Sequence, residues 1–388
     1  MKLLKRTSLL ASLVMFCGAS AAVAAPAIPV ASIARVFGQI SASPSLASPS
    51  MILIDRNSGE IVFQKDATSL RKPASILKLL STTATLEYLD PNYRYVTRIF
   101  KGASPRTLVI SGNLDPWMTG SYFEATKYHR AWLQYLANRS IADLKAEEAT
   151  PLHNVSIEYS GLYAADTQFL KRAFAAAGVT PKIKEISANL VDSVAGPEIA
   201  KVTSPPVSEM VKFALTWSDN LLAERLVRAA AHAVGFPMND AGVAQTIKKL
   251  LTDLNVDQTG LFIHDGSGLS HDDRVTAKLI ADVLMKIRVD PRFASIYKGL
   301  PISGITGTLE YRYRSTAPQA VGLVHAKTGT LDGTISLAGY VESGSHEYIF
   351  VAIADHIRKG TAAADQARNT IDRMLGKIAS PLEIAKQN

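Results

Sequence analysis

The chain has 388 residues, 47% of them hydrophobic, and a formal charge of +8 from 42 lysines and arginines against 34 aspartates and glutamates. That length buries ample core, and the basic excess is scattered rather than gathered into a patch, which excludes a nucleic-acid surface and fits weak attraction to anionic envelope polymers. One cysteine, Cys17, and eight dispersed histidines without H-E-x-x-H or comparable spacing exclude a disulfide framework, thiol chemistry, a metal and any cofactor held by such ligands.

Residues 1–24 carry Lys2, Lys5 and Arg6, then the apolar run LLASLVMF, then small residues ending Ala22-Val23-Ala24. This is the pattern of a secretory signal peptide cut after Ala24. The run is shorter than the ~20 residues a spanning helix needs, and no later stretch is long and apolar enough to span. The expected mature protein is therefore exported, periplasmic or cell-wall-associated, and has no transmembrane segment. Cys17 leaves with the signal, and Phe16 before it does not suit a lipoprotein processing site. Loss of Lys2, Lys5 and Arg6 lowers the charge by three, from +8 to +5.

Residues 25–50, rich in Ala, Pro and Ser, read as a loose lead-in around a short amphipathic piece at 32–40. MILID (51–55) and IVFQK (61–65) are strands joined by Arg56-Asn57-Ser58-Gly59-Glu60, a hairpin signal with glycine available for a positive φ. A helix opening at Pro73 and ending near Asp90-Pro91 follows, since proline is tolerated in a first turn. Ser75 and Lys78, three apart, share one face of it. Ile76, Leu77, Leu79, Leu80, Leu86 and Leu89 surround that face with hydrocarbon. Desolvation disfavours an ammonium there, making Lys78 a plausible base for Ser75. The alternative is a capping serine beside a surface lysine. S-x-x-K occurs twice more: Ser69 with Lys72 is interrupted by Pro73, and Ser295 with Lys298 lies in a short segment bracketed by prolines and glycine.

Residues 96–200 change character, with strand-like TLVISG (107–112) and NVSIEY (154–159) and helical stretches at 128–145 and 169–177. They read as an inserted module. SGNLDPWMTG (111–120) is turn-rich and either lines a cleft or is an ordinary loop. Helices are expected at 208–217 and 221–234, with Ser218-Asp219-Asn220 at their junction, projecting a hydroxyl and an amide or simply capping the second helix. After the glycine-rich HDGSGLSHDD (264–273) and a helix at 276–287, AVGLVHAKTGT (320–330) reads as a strand running into Lys327-Thr328-Gly329. This offers an anionic group a cation, a donor and close backbone approach, or is a turn. Strands ISLAGYVE and EYIFVAIAD and a helix at 362–378 complete the chain.

S-x-x-K, then S-D-N, then K-T-G are the three ordered signatures of penicillin-binding proteins and serine β-lactamases. KPASILKLL, SPPVSEMVKFALTWSDNLLAERLV, DGSGLS, LPISGITGTLEYRY and AKTGTLDGTISLAGYV together resemble the D-alanyl-D-alanine carboxypeptidase/endopeptidase family, the class-C low-molecular-mass penicillin-binding proteins, from about Ile33 to Ile357. The resemblance implies a mixed α and β, transpeptidase-like fold: an antiparallel sheet from the chain's two ends, flanked by helices (25–95 and 201–388), with one smaller module inserted (96–200). The separation of Ser75 and Ser218 is short for two full inserted domains. It further implies that Ser75 attacks the carbonyl between two D-alanines of a peptidoglycan stem peptide while Lys78 takes its proton. Ser218 would relay a proton to the leaving amine and Asn220 would hold the substrate backbone. Lys327, Thr328 and Thr330 would bind the terminal carboxylate, and the N–H groups of Ser75 and Thr330 would form the oxyanion hole. β-Lactams would be covalent inhibitors. Two other readings remain at this stage, a serine β-lactamase on the same scaffold and a catalytically idle envelope-binding module. Intact motifs argue against the idle module. Against a class A β-lactamase, no E-x-x-x-N follows Asn220; Glu185 to Asn189 has the spelling but precedes Ser218.

Overall fold

A computed structural model gives the fold and describes residues 29–147 and 152–379. The expected signal peptide and Cys17 lie outside them. The chain opens with α1 (Val30–Ser41), the hairpin β1 (Ser50–Asp55) and β2 (Ile61–Lys65), and α2 (Lys78–Tyr88). Gly59 closes the hairpin turn at φ 76°, a conformation open to glycine without steric cost. There follow β3 (Arg94–Gly102), β4 (Thr107–Ser111), β5 (Met118–Thr119), α3 (Tyr122–Tyr128), β6 (Ala131–Trp132), α4 (Leu133–Glu147), β7 (Ser156–Ser160), α5 (Ala164–Ala176), β8 (Lys182–Glu185), α6 (Val191–Val194) and β9 (Ala195–Pro206). The last part holds α7 (Val207–Thr216), α8 (Asn220–Ala233), α9 (Asp240–Asp253), α10 (Ala277–Val289), α11 (Ala294–Gly299), β10 (Val324–Leu331), β11 (Thr334–Ser343), β12 (His346–Ala354) and α12 (Thr361–Gly376).

The first sheet runs β10-β11-β12-β1-β2, antiparallel throughout, so strands from both ends of the chain meet where β1 pairs with β12. Period-two alternation divides its faces. Ile52, Ile54, Ile349, Val351 and Ile353 join one core with α2 and α10, while Met51, Leu53, Phe350 and Ala352 join another with α1 and α12. Ile33 and Phe37, four apart on α1 and both buried, dock into the second core. The expected loose lead-in is therefore part of the fold, because its helical apolar stripe finds a face to cover. The second sheet runs β8-β7-β4-β3-β9, mixed in direction, and all its strands lie between Arg94 and Pro206.

Helix α2 passes between the first sheet and the helical layer, packing on α7, α8, α9 and α10. Every residue from Lys78 to Leu86 is buried, polar ones included. Thr82, Thr83 and Thr85 satisfy their hydroxyls on carbonyls of the preceding turn, which lets a helix with little amphipathic contrast sit in the middle of the protein. The helix expected at 128–145 begins at Leu133, because His129 adopts a left-handed conformation and residues 131–132 pair as a strand. Among the described residues no helix is long and apolar enough to cross a membrane.

Candidate active site

The sequence predicts one continuous helix from Pro73; the structure divides it. Ala74–Leu77 is a 3₁₀ turn and the α-helix begins at Lys78. Side chains three apart eclipse in a 3₁₀ turn, and Lys78 Nζ lies 2.9 Å from Ser75 Oγ. Ala74 holds φ 50°, a left-handed conformation that costs a residue with a Cβ about 1–2 kcal/mol. Three neighbours hold the turn in place. Ser336 Oγ donates to the Pro73 carbonyl at 2.6 Å. Gly268, at φ 77°, lies so close to the Ala74 carbonyl that a Cβ there would collide with it. Gly329 crosses over the turn, and a Cβ on it would stand 3.0 Å from Ser75 N and 2.9 Å from Pro73 O and overlap the Ser336 hydroxyl. The glycine of K-T-G is thus where backbone meets backbone at the serine.

Lys78 is 0% exposed. Besides Ser75, its Nζ reaches Asn220 Oδ1 and the Ser267 carbonyl, each at 2.6 Å. Those two oxygens only accept, so they claim two N–H bonds of a neutral amine and leave its lone pair toward the Ser75 hydroxyl. Burial brings the Lys78 pKa down to about 8, opposed by the negative charges of Asp265, Glu224 and Asp219. The Ser267 carbonyl is held by a backbone-binding carboxylate: Asp265 accepts from the N–H groups of Ser267, Gly268 and Ser270 at 2.9, 2.6 and 2.6 Å. Glu224 accepts from Gly266 N at 2.7 Å.

Ser218 stands between α7 and α8 at φ 57°. The helix cap is neither Ser218 nor Asn220 but Asp219, whose carboxylate accepts from Leu222 N at 2.9 Å. Arg130 pairs with the same carboxylate at 3.1 Å and donates to the carbonyls of Pro116 and Trp117, tying loop 111–120 to this junction. With capping assigned to Asp219, Ser218 and Asn220 turn to the two lysines. Lys327 Nζ donates to Ser218 Oγ at 2.8 Å, across 109 positions of sequence, and to the Thr328 carbonyl at 2.8 Å. Lys327 is also 0% exposed. Burial, then the nearby Lys78 charge, holds its pKa well below the ordinary lysine value.

K-T-G lies inside β10 rather than at its end, on the edge of the first sheet. Pro301 and Ile302 cover that edge as far as Ala326; beyond it, among the described residues, no backbone lies across from the strand. A cleft of 370 Å³ opens there, lined by Ser75, Ser218, Asn220, Thr308, Arg312, Thr328, Thr330 and Arg368. Thr308 and Thr328 hydroxyls are 2.8 Å apart, Arg368 Nη2 donates to Thr330 Oγ1 at 3.3 Å, and Arg312 is fixed by Asp372. All seven residues singled out from the sequence, Ser75, Lys78, Ser218, Asn220, Lys327, Thr328 and Thr330, meet at this cleft. Among the described residues neither other S-x-x-K pair makes a lysine–serine contact. Loop 111–120 lines a different, 480 Å³ cavity through Trp117. The Ser267 carbonyl, Asp265, Thr308, Arg312 and Arg368 were not singled out. DGSGLS and the arginine-rich LEYRYRS were the only marks of four of them, and Arg368 looks like any basic residue on a surface helix.

This antiparallel sheet flanked by helices, with a serine-and-lysine cleft at the sheet's edge, is the fold of a penicillin-binding protein. Penicillin binding protein 4 (dacB) from Haemophilus influenzae matches it with a TM-score of 0.69 at 16% identity, over 90% of this chain and 99% of that one. The same protein complexed with a β-lactam matches with a TM-score of 0.66 at 17% identity, over 89% and 98%. The chain belongs to the D-Ala-D-Ala carboxypeptidase 3 (S13) family, which matches residues 35–129 and 146–378, and is a serine-type D-Ala-D-Ala carboxypeptidase by that membership. It is 27% identical over 387 residues to "Carboxypeptidase DacB" of Mycolicibacterium smegmatis, covering 87% of this chain and 82% of the relative. A D-alanyl-D-alanine carboxypeptidase of an Actinomadura species is 37% identical over 158 residues, 39% of this chain and 29% of that one.

Proposed function

We propose that the chain is an exported D,D-peptidase that opens the D-alanyl-D-alanine bond of peptidoglycan stem peptides, and the D-alanyl bond of cross-links, through an acyl-enzyme on Ser75. The observation that carries this reading is the triple contact of Lys78, which aims a lone pair at Ser75 from a fully buried position. Lys78 takes the hydroxyl proton as Ser75 Oγ bonds to the D-alanyl carbonyl carbon. The N–H groups of Ser75 and Thr330, brought together by the close approach of Gly329, hold the oxyanion, often the largest electrostatic contribution in acyl transfer. Ser218, hydrogen-bonded to Lys327, passes a proton to the leaving amine, and Asn220 holds the peptide backbone. The substrate lies along the open edge of β10 as an added strand, its terminal carboxylate toward Lys327, Thr328 and Thr330. Water then hydrolyses the ester. Residues 96–200 are the inserted module, which braces the cleft through Arg130 and Asp219. β-Lactams acylate the same serine, a reading supported by the β-lactam complex of the Haemophilus protein.

Treatment with a labelled penicillin and peptide mapping tests the assignment: label is expected on Ser75, and none on Ser75→Ala. Label on Ser69 or Ser295, or a Ser75→Ala protein that still releases D-alanine, refutes it.

A further inference from the structure

Beyond Arg368 the cleft continues into a second cavity of 270 Å³, and Thr330 and Arg368 line both. The open half of β10 runs from Lys327 through Thr330 to Leu331 and so leads from one into the other. Its other half is covered by Pro301 and Ile302, so a peptide laid on the edge strand has one way onward. The cationic side chains at the second cavity are not all balanced. Asp332 is paired with Lys359 at 3.2 Å and Arg368 with Asp365 at 2.6 Å. Arg358, exposed on the cavity wall, makes no side-chain hydrogen bond or ion pair among the described residues.

A guanidinium held at a cavity wall without a partner fits a carboxylate supplied by the ligand. When the leaving group is free D-alanine, nothing extends past Thr330. When it is the amine of a second stem peptide, an acidic chain must leave in that direction. We infer that this second cavity is a leaving-group subsite for the second peptide of a cross-link, and that Arg358 is the residue that recognises its carboxylates. The inference rests on the D,D-peptidase reading. In the step concerned, the Ser75 Oγ–carbonyl bond forms while the bond between that carbon and the second peptide's nitrogen breaks. The serine proton ends on the released amine, and water later restores Ser75 and frees the D-alanyl carboxylate.

The test compares two substrates of one stem chemistry, a monomeric disaccharide-pentapeptide and its D-alanyl cross-linked dimer, on the full chain with native Arg358, Arg358→Glu and Arg358→Lys. Penicillin labelling of Ser75 monitors integrity of the site. With Arg358→Glu, KM for the dimer is expected to rise about tenfold, the scale of one ion pair replaced by repulsion, while D-alanine release from the monomer stays within about twofold. Arg358→Lys should recover most of the loss, since it keeps the charge. Parallel changes on both substrates, an unchanged dimer KM, or a native enzyme that cleaves monomer but not dimer would each overturn the subsite and leave the peptidase reading intact. Cleavage of neither substrate by the native chain would instead remove the peptidase reading on which the subsite rests.

Discussion

Two lysines without solvent exposure face one cleft, and burial disfavours charge on both. For Lys78 this has a measurable sign. Below its pKa of about 8 the side chain is protonated, and the third N–H occupies the position from which the lone pair would accept the Ser75 proton. Acylation by a penicillin is therefore expected to accelerate as pH rises through about 8. Asp265 works against burial here, since its negative charge raises the Lys78 pKa. Asp265→Asn keeps amide-oxygen acceptors for the loop but removes that charge, so the midpoint of the acylation profile should move to lower pH. Stopped-flow acylation rates across pH decide the matter; a midpoint that moves upward, or a flat profile in the parent enzyme, contradicts the electrostatic account. Single residues also explain why the short motifs were only partly legible. Ser75 and Lys78 are neighbours in sequence and in space, so their spacing carried the message. Ser267 contributes a carbonyl, which every residue has, and no side-chain pattern marks it.

The edge strand β10 and the turn Ala74–Leu77 touch through their backbones, and Gly329 is the point of contact. Gly329→Ala would push a methyl group against Ser75 N, Pro73 O and the Ser336 hydroxyl. The strand or the turn must then shift, and a displacement of this kind near reacting atoms costs about a hundredfold in rate. Acylation of Gly329→Ala should fall by about that factor, and thermal unfolding should occur a few degrees lower, consistent with about 1–2 kcal/mol of overpacking. Near-normal acylation by the alanine variant would mean that the strand's approach does not shape the site. Gly268 does the equivalent service from the opposite side. Its φ of 77° and its contact with the Ala74 carbonyl make Gly268→Ala doubly unfavourable, at a cost of about 1–3 kcal/mol, read as a lowered urea midpoint. At this scale the sequence identified most elements but placed Ser75 in the wrong kind of turn. The 3₁₀ geometry is imposed by Gly268, Gly329 and Ser336, which arrive from distant parts of the chain.

Across the whole molecule, the carboxylates around the site are committed to building it. Glu224 receives the Gly266 N–H and lies against Arg228, so it braces the loop that holds Lys78 and does not face the ester. Among the described residues lining the cleft there is no carboxylate. A penicilloyl ester on Ser75 thus lacks a dedicated base for its water, and intact-protein mass spectrometry after penicillin treatment should show an adduct lasting minutes or longer while a D-alanyl-D-alanine peptide is turned over. Rapid return to free enzyme with excess penicillin consumed and no D-alanine released would favour the β-lactamase alternative. The sequence alone determined the three motifs, their order, most strands and helices, and the pairing of Ser75 with Lys78, because periodicity and short spacings are local properties of a chain. Only the tertiary structure decided that Lys327 serves Ser218, that Asp219 rather than its neighbours caps α8, and that Arg312, Arg358 and Arg368 stand at the cleft and its continuation. Those relations join residues that are mostly far apart in the chain, and their energy comes from burial and close approach, which exist only once the sheet and the helical layer have closed around α2.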